Sequence, residues 1–145
     1  MVYKTIFEEF FLNYYFLSFI ISWILSVLIK SILSSRKGFS IKNGFKNGGM
    51  PSSHSAVVSA ITAAVFLNEG FSSLFFVSLV FSLIIISDAF ILRRNVGIQG
   101  EKINVLLKNS KLEEIKVVYG HTFMQVLCGI ALGIFVSVIL KSLFF

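Results

Sequence analysis

The sequence is poor in the residues that build disulfide scaffolds and metal centres. Its one cysteine, Cys128, lies inside an apolar stretch, so an internal disulfide and a cysteine-based zinc cluster are both excluded. The expected role of that thiol is small-residue packing. Acidic residues number seven against 13 lysines and arginines, and none cluster at metal-ligand spacing, which argues against metal-assisted hydrolysis. Proline occurs once, at Pro51, and histidine twice, at His54 and His121. Residues this scarce are worth locating individually.

Apolar side chains, by contrast, are abundant. Of 145 residues 56% are hydrophobic, 17 are phenylalanine, and the mean hydropathy is +0.88, far beyond an ordinary soluble domain. The chain is expected to be an all-α integral membrane helical bundle of about four transmembrane helices, forming one domain over 1–145. No cleavable signal peptide is expected, because the first apolar run is long, follows the acidic Glu8-Glu9 pair and lacks a small-residue cleavage site. The net charge of +6 is concentrated in two segments. Arg36, Lys37, Lys42 and Lys46 occupy the first, and Arg93, Arg94, Lys102, Lys108, Lys111 and Lys116 the second. The positive-inside rule assigns both to the cytoplasm, so the basic balance reports topology rather than nucleic-acid binding.

Four apolar segments follow, at about 10–33, 53–67, 71–92 and 122–141, with cytoplasmic loops at 34–52 and 93–121. The first is long enough to cross a bilayer, with Tyr14 and Tyr15 near one interface and Lys30 about a turn before the other. Lys30 either snorkels to the headgroups or turns inward to an anion. The second, rich in Ala, Val and Ser, is short and suited to close packing at a bundle centre. The third carries Asp88, the one acid within any span, with Arg93 and Arg94 about a turn further on as its natural partners. Residues 95–119 alternate apolar and charged side chains and are expected to form one or two short surface helices. The last span contains Gly129 and Gly133, a small-xxx-small pair suited either to a dimer or to an internal contact.

This topology brings scarce residues together. Gly48-Gly49-Met50-Pro51-Ser52-Ser53-His54-Ser55 opens the second span, where Pro51 suits a first helical turn and Ser52 or Ser53 can cap. Such an entrance attracts anions to its free N–H groups. His54, Arg93, Arg94 and His121 all fall at one membrane edge, with Lys30 and Asp88 just beneath. Those parts suffice for phosphoryl transfer without a metal: arginine forks and helix N–H groups hold oxygens, one histidine attacks and the other protonates the leaving oxygen.

Three motifs carry a resemblance. Gly48 to Ala56, then Asp88-Ala89 with Arg93-Arg94, Gly97 and Gln99, then Gly120-His121-Thr122 with Gln125-Val126 and Gly129, resemble the divergent PAP2 family. These are small bacterial membrane proteins related to acid phosphatases and vanadium-dependent haloperoxidases. The resemblance extends from Lys30 to the last helix. It implies a helical fold with PAP2-like active-site loops at the cytoplasmic face of the bacterial inner membrane. It assigns the nucleophile to His121 and the acid to His54. It assigns phosphate binding to Lys30, Ser52, Ser53, Arg93 and Arg94, with Asp88, Gln125 and Gly49 in support. No metal and no other cofactor is implied.

The pattern departs from the wider superfamily at several positions. Ser53 replaces a loop glycine, Gln125 replaces an aspartate, and the arginine pair ends 27 positions before His121 instead of close to it. Ile91-Leu92 stands where the divergent branch has Gly-Val, and Phe123 where it has proline. Four spans are fewer than the six typical of integral-membrane relatives, a shortfall that a homodimer would make up. The implied activity is a phosphoric monoester or anhydride hydrolase acting on a membrane lipid phosphate, of the phosphatidate, phosphatidylglycerophosphate or isoprenoid phosphate class. The alternative is a non-catalytic lipid-phosphate binder or a subunit of a membrane complex, favoured by Gln125.

Overall fold

A computed structural model describes residues 9–33, 49–108 and 112–145. The first basic segment, with Arg36, Lys37, Lys42, Lys46 and Gly48, and also Lys111, lies outside the described residues. Helix α1 spans Tyr14–Leu33, α2 Ser53–Glu69, α3 Ser73–Ser87, α4 Arg93–Leu107 and α5 Phe123–Phe144. The protein is a membrane helical bundle, all-helical among its described regular elements. Three stretches are long and apolar enough to cross a bilayer: α1, the continuous Ser73–Leu107 helix, and α5.

Helix α2 is the hub and packs on α1, α3 and α5, while α1 also touches α5. At 17 residues it is about 25 Å long, shorter than α1 and α5. Its buried face is made of Ser55, Ala56, Ser59, Ala60, Thr62, Ala64 and Val65. Small side chains let neighbouring backbones approach, and in a bilayer such packing replaces the hydrophobic drive available in water. On α1 the matching face is a row four residues apart, Tyr14, Ser18, Ser22, Ser26 and Lys30, all buried. On α5 it is Gly129 and Gly133. A Cβ at Gly129 would strike the Ser52 carbonyl oxygen, and one at Gly133 the Ala56 carbonyl oxygen. The glycine pair is therefore occupied by an internal contact between α5 and α2. Ser137 Oγ donates to the Ala60 carbonyl at 2.7 Å, and Tyr14 Oη donates to the Ser137 carbonyl at 2.9 Å, tying three helices together.

Helix α3 stands apart, with Ser82 its one buried residue. Thr62 and Ser82 hydroxyls lie 2.7 Å apart and fix it to α2. The segment 93–121, expected to be a loop carrying one or two short surface helices, begins instead with an unbroken helix through Leu107. It runs on from α3 through one turn of π-helix, Asp88–Leu92. No proline interrupts Arg93–Leu107, so the polarity that suggested a loop instead marks a helix leaving the apolar layer. From Ser73 to Leu92 is about 30 Å, the thickness of the hydrocarbon, so the remainder must project beyond it.

At the end opposite Lys30 the polar groups form a closed network. Tyr15 Oη donates to Glu69 Oε1 at 2.7 Å, Asn68 Nδ2 donates to Tyr15 Oη, and Ser72 Oγ donates to Glu69 Oε2. Lys141 Nζ donates to Asn68 Oδ1 at 2.9 Å and sits 5.4 Å from the Tyr14 ring centre.

Candidate active site

The first motif delivers His54 from the first turn of α2. Ser52 is the cap: its Oγ accepts from Ser55 N–H at 3.3 Å and from Ser55 Oγ at 3.0 Å. Pro51 thus falls one position ahead of the cap, outside the helix, and the Met50–Pro51 peptide is cis. Gly49 has a φ of 86°, a conformation that a side chain would strain. Ser52 N–H donates to the Gln125 carbonyl at 2.9 Å, stitching this loop to the start of α5.

His121 arrives on an extended segment, residues 112–122, that runs back along α4. Gly97 and Gly100 make room for it, since a Cβ at Gly97 would lie 3.0 Å from both the Tyr119 ring and the Val118 carbonyl. Asn104 grips the segment like a neighbouring strand, donating to the Ile115 carbonyl and accepting from Ile115 N–H, each at 2.7 Å. A hydrogen bond from the Tyr119 phenol to Glu101 adds a third tie and holds that phenol above its ordinary pKa. At the end of the run, Gly120 abuts the π-turn, and His121 N–H donates to the Ala89 carbonyl at 3.0 Å. The π-turn is thus the dock that positions the His121 backbone.

The imidazole is aimed by Gln125. Gln125 Oε1 accepts from Thr122 N–H at 3.0 Å, while Thr122 Oγ1 accepts from Gln125 N–H, a capping box that starts α5. The same Oε1 lies 3.2 Å from His121 Nδ1. An amide oxygen can only accept, so the contact places the proton on Nδ1 and leaves Nε2 with its lone pair. His121 is 5% exposed. Burial pushes its pKa below the ordinary histidine value, with the charges of Lys30 and His54 acting in the same direction. The bond to Gln125 and the Gly49 backbone act oppositely.

His54 and His121 face each other across a cavity of about 370 Å³, their ring centres 6.5 Å apart. Asp88, Leu92, Arg93, Val96, Val118, Tyr119 and Gly120 complete its wall. Arg93 Nε donates to Asp88 Oδ2 at 2.8 Å, and both side chains remain partly exposed to the cavity. Lys30, 4% exposed, has no hydrogen bond or ion pair among the described residues, yet lies near enough to act on both imidazoles. Ser53 Oγ is buried without a partner among the described residues. Ser52 is used up in capping, and Arg94 lies off the cavity wall, its backbone pressed by Gly120. Of the arginine pair, then, Arg93 meets the histidines. No group of three or more His, Cys, Asp or Glu side chains at metal-binding distance occurs among the described residues.

Gly120 belongs to the third motif, but Leu92, Val96, Val118 and Tyr119 were not among the site residues expected from the sequence. The available signal was Gly97-x-x-Gly100 followed by Asn104 in a polar segment, a glycine face that needs something to lie against it.

A profile of the divergent PAP2 family matches residues 11–136. The chain is 36% identical over 115 residues to a protein named uncharacterized membrane protein YuiD from Bacillus subtilis (strain 168), covering 67% of this chain and 73% of that one. No solved structure matches the chain.

Proposed function

The chain belongs to the divergent PAP2 family, and from that premise we propose that it is a metal-independent phosphatase of membrane lipid phosphates working through a phosphohistidine. The observation that carries this reading is the pairing of two imidazoles across one cavity with Arg93 beside them and a buried Lys30 that has no partner among the described residues. A buried cation without a counter-ion is costly, and a bound anion is the natural relief. Arg93, Lys30 and the free N–H groups at the start of α2 hold the phosphoryl oxygens and the charge that grows on them. His121 Nε2 attacks phosphorus as the bond to the lipid oxygen breaks, and protonated His54 gives that oxygen its proton. His54, now neutral, takes a proton from water, whose oxygen attacks phosphorus and breaks the P–N bond. Inorganic phosphate leaves and His121 is restored. The site opens at the edge of the apolar layer, which suits a polar head whose chains stay in lipid, and the basic segments of the sequence support a cytoplasmic orientation for that edge.

The deciding experiment is phosphate release by detergent-purified protein from a panel of phosphatidate, phosphatidylglycerophosphate and isoprenoid phosphates in EDTA, beside the His121→Ala variant. Release that requires His121 is the expected result. Release that survives its loss, or that EDTA abolishes, defeats the mechanism. A second reading, a lipid-phosphate binder without turnover, is favoured by Gln125, which cannot stabilise an imidazolium as a carboxylate does. Lipid-phosphate binding with no release across the whole panel selects it.

A further inference from the structure

We infer that Asp88 is the specificity-determining residue of this cavity: paired with Arg93, its carboxylate admits phosphate heads that carry two negative charges and turns away the singly charged phosphodiesters of the surrounding bilayer. The inference rests on reading the cavity as a phosphate site.

Asp88 is the one acid on the cavity wall, and its bond is to Arg93, five residues along the same helix. The π-turn makes that pairing: Arg93 N–H donates to the Asp88 carbonyl, an i to i+5 spacing that sets both side chains on one face. The pair joins no two elements of the fold, and at 35% and 49% side-chain exposure it faces open cavity rather than packed protein. A surface pair within one helix contributes little stability, so the placement asks for a different reason. Its consequence is electrostatic. An anion that takes Arg93 must displace the Asp88 carboxylate and then remain beside it. A phosphodiester head brings one charge, replaces one, and is left next to a like charge. A terminal phosphate, largely dianionic at neutral pH, has the second charge to interact with Lys30 and the α2 N–H groups. Diester heads vastly outnumber any lipid monophosphate at a membrane face. Discrimination therefore depends as much on repelling the common lipid as on holding the rare one.

The test uses the full chain in detergent, with His121→Ala to stop turnover, and two ligands that differ by one methyl group: dodecyl phosphate and its monomethyl ester. Calorimetric titration should show the monoester binding on the order of tenfold tighter than the diester. In Asp88→Asn and in Asp88→Ser the ratio should fall to about two or threefold, chiefly through tighter diester binding, whereas Asp88→Glu should preserve it. A ratio unmoved by either neutral variant, or both ligands weakened alike, overturns the role of Asp88 and leaves the phosphate site standing. If neither ligand binds, the phosphate reading falls and this inference with it. The unsubstituted protein supplies an independent check. Its phosphate release from dodecyl phosphate should be little affected by added phosphatidylglycerol vesicles, and strong competitive inhibition by them overturns the inference.

Discussion

The two ends of the bundle handle charge in opposite ways. Where α1 begins and α5 finishes, Tyr15, Asn68, Glu69, Ser72 and Lys141 close a network in which each named group has a partner. Where α1 finishes and α2 and α5 begin, neither the buried Lys30 nor Ser53 Oγ has a partner among the described residues, and two histidines face a cavity. Both ends draw on the same three helices and similar side chains. The polar groups of one end are spent on cohesion, whereas those of the other leave hydrogen-bonding capacity unused among the described residues, the capacity that the proposed function draws on.

The largest effect should come from removing the proposed nucleophile. His121→Ala is expected to lower phosphate release by at least about 1000-fold with the melting temperature nearly unchanged, as read by single-turnover assay and thermal unfolding. Comparable loss of fold and activity would instead make His121 a structural residue. Lys30→Met should separate the two ends most sharply. It is expected to cost on the order of 10- to 100-fold in kcat/KM while raising the melting temperature by roughly a few degrees, since a buried charge with no partner among the described residues disappears. A fall in melting temperature would mean that Lys30 already serves the fold. At the opposite end Glu69→Gln should do the reverse, lowering stability by about 1 kcal/mol in denaturant titrations and leaving phosphate release alone. The smallest effect is a displaced pH profile. With its pKa depressed, His121 stays unprotonated to lower pH than an ordinary histidine, so the acid limb of kcat/KM should lie below about pH 6.5. Gln125→Asp adds a charge that favours the imidazolium and should shift that limb upward, whereas an unmoved limb would show that another group governs it.

Much of this arrangement was legible in the residues themselves. Two scarce histidines each precede an apolar span, and spans that alternate direction must bring such positions to one edge. The small-residue composition of the second span likewise pointed to the bundle centre, where α2 is found. The continuation of α3 into α4 was not legible, because charge and polarity after Arg93 mimic a loop, whereas only the backbone reveals an uninterrupted helix. Nor did residue spacing identify Arg93 over Arg94, since an α-helical count of 3.6 per turn misses the shift that the π-turn introduces. The docking of residues 112–122 was hidden for a similar reason: Gly97, Gly100 and Asn104 find their purpose in a segment that follows them in the chain.

Gln125 Oε1 holds two bonds at once, one to the backbone at the start of α5 and one to the imidazole of His121. Helix termini fray more readily than helix centres unwind. Each time this terminus opens, the imidazole loses its aim and its tautomer together. Heating should therefore silence the protein before it melts it, and inactivation will track the opening of a single helical turn rather than the collapse of the bundle.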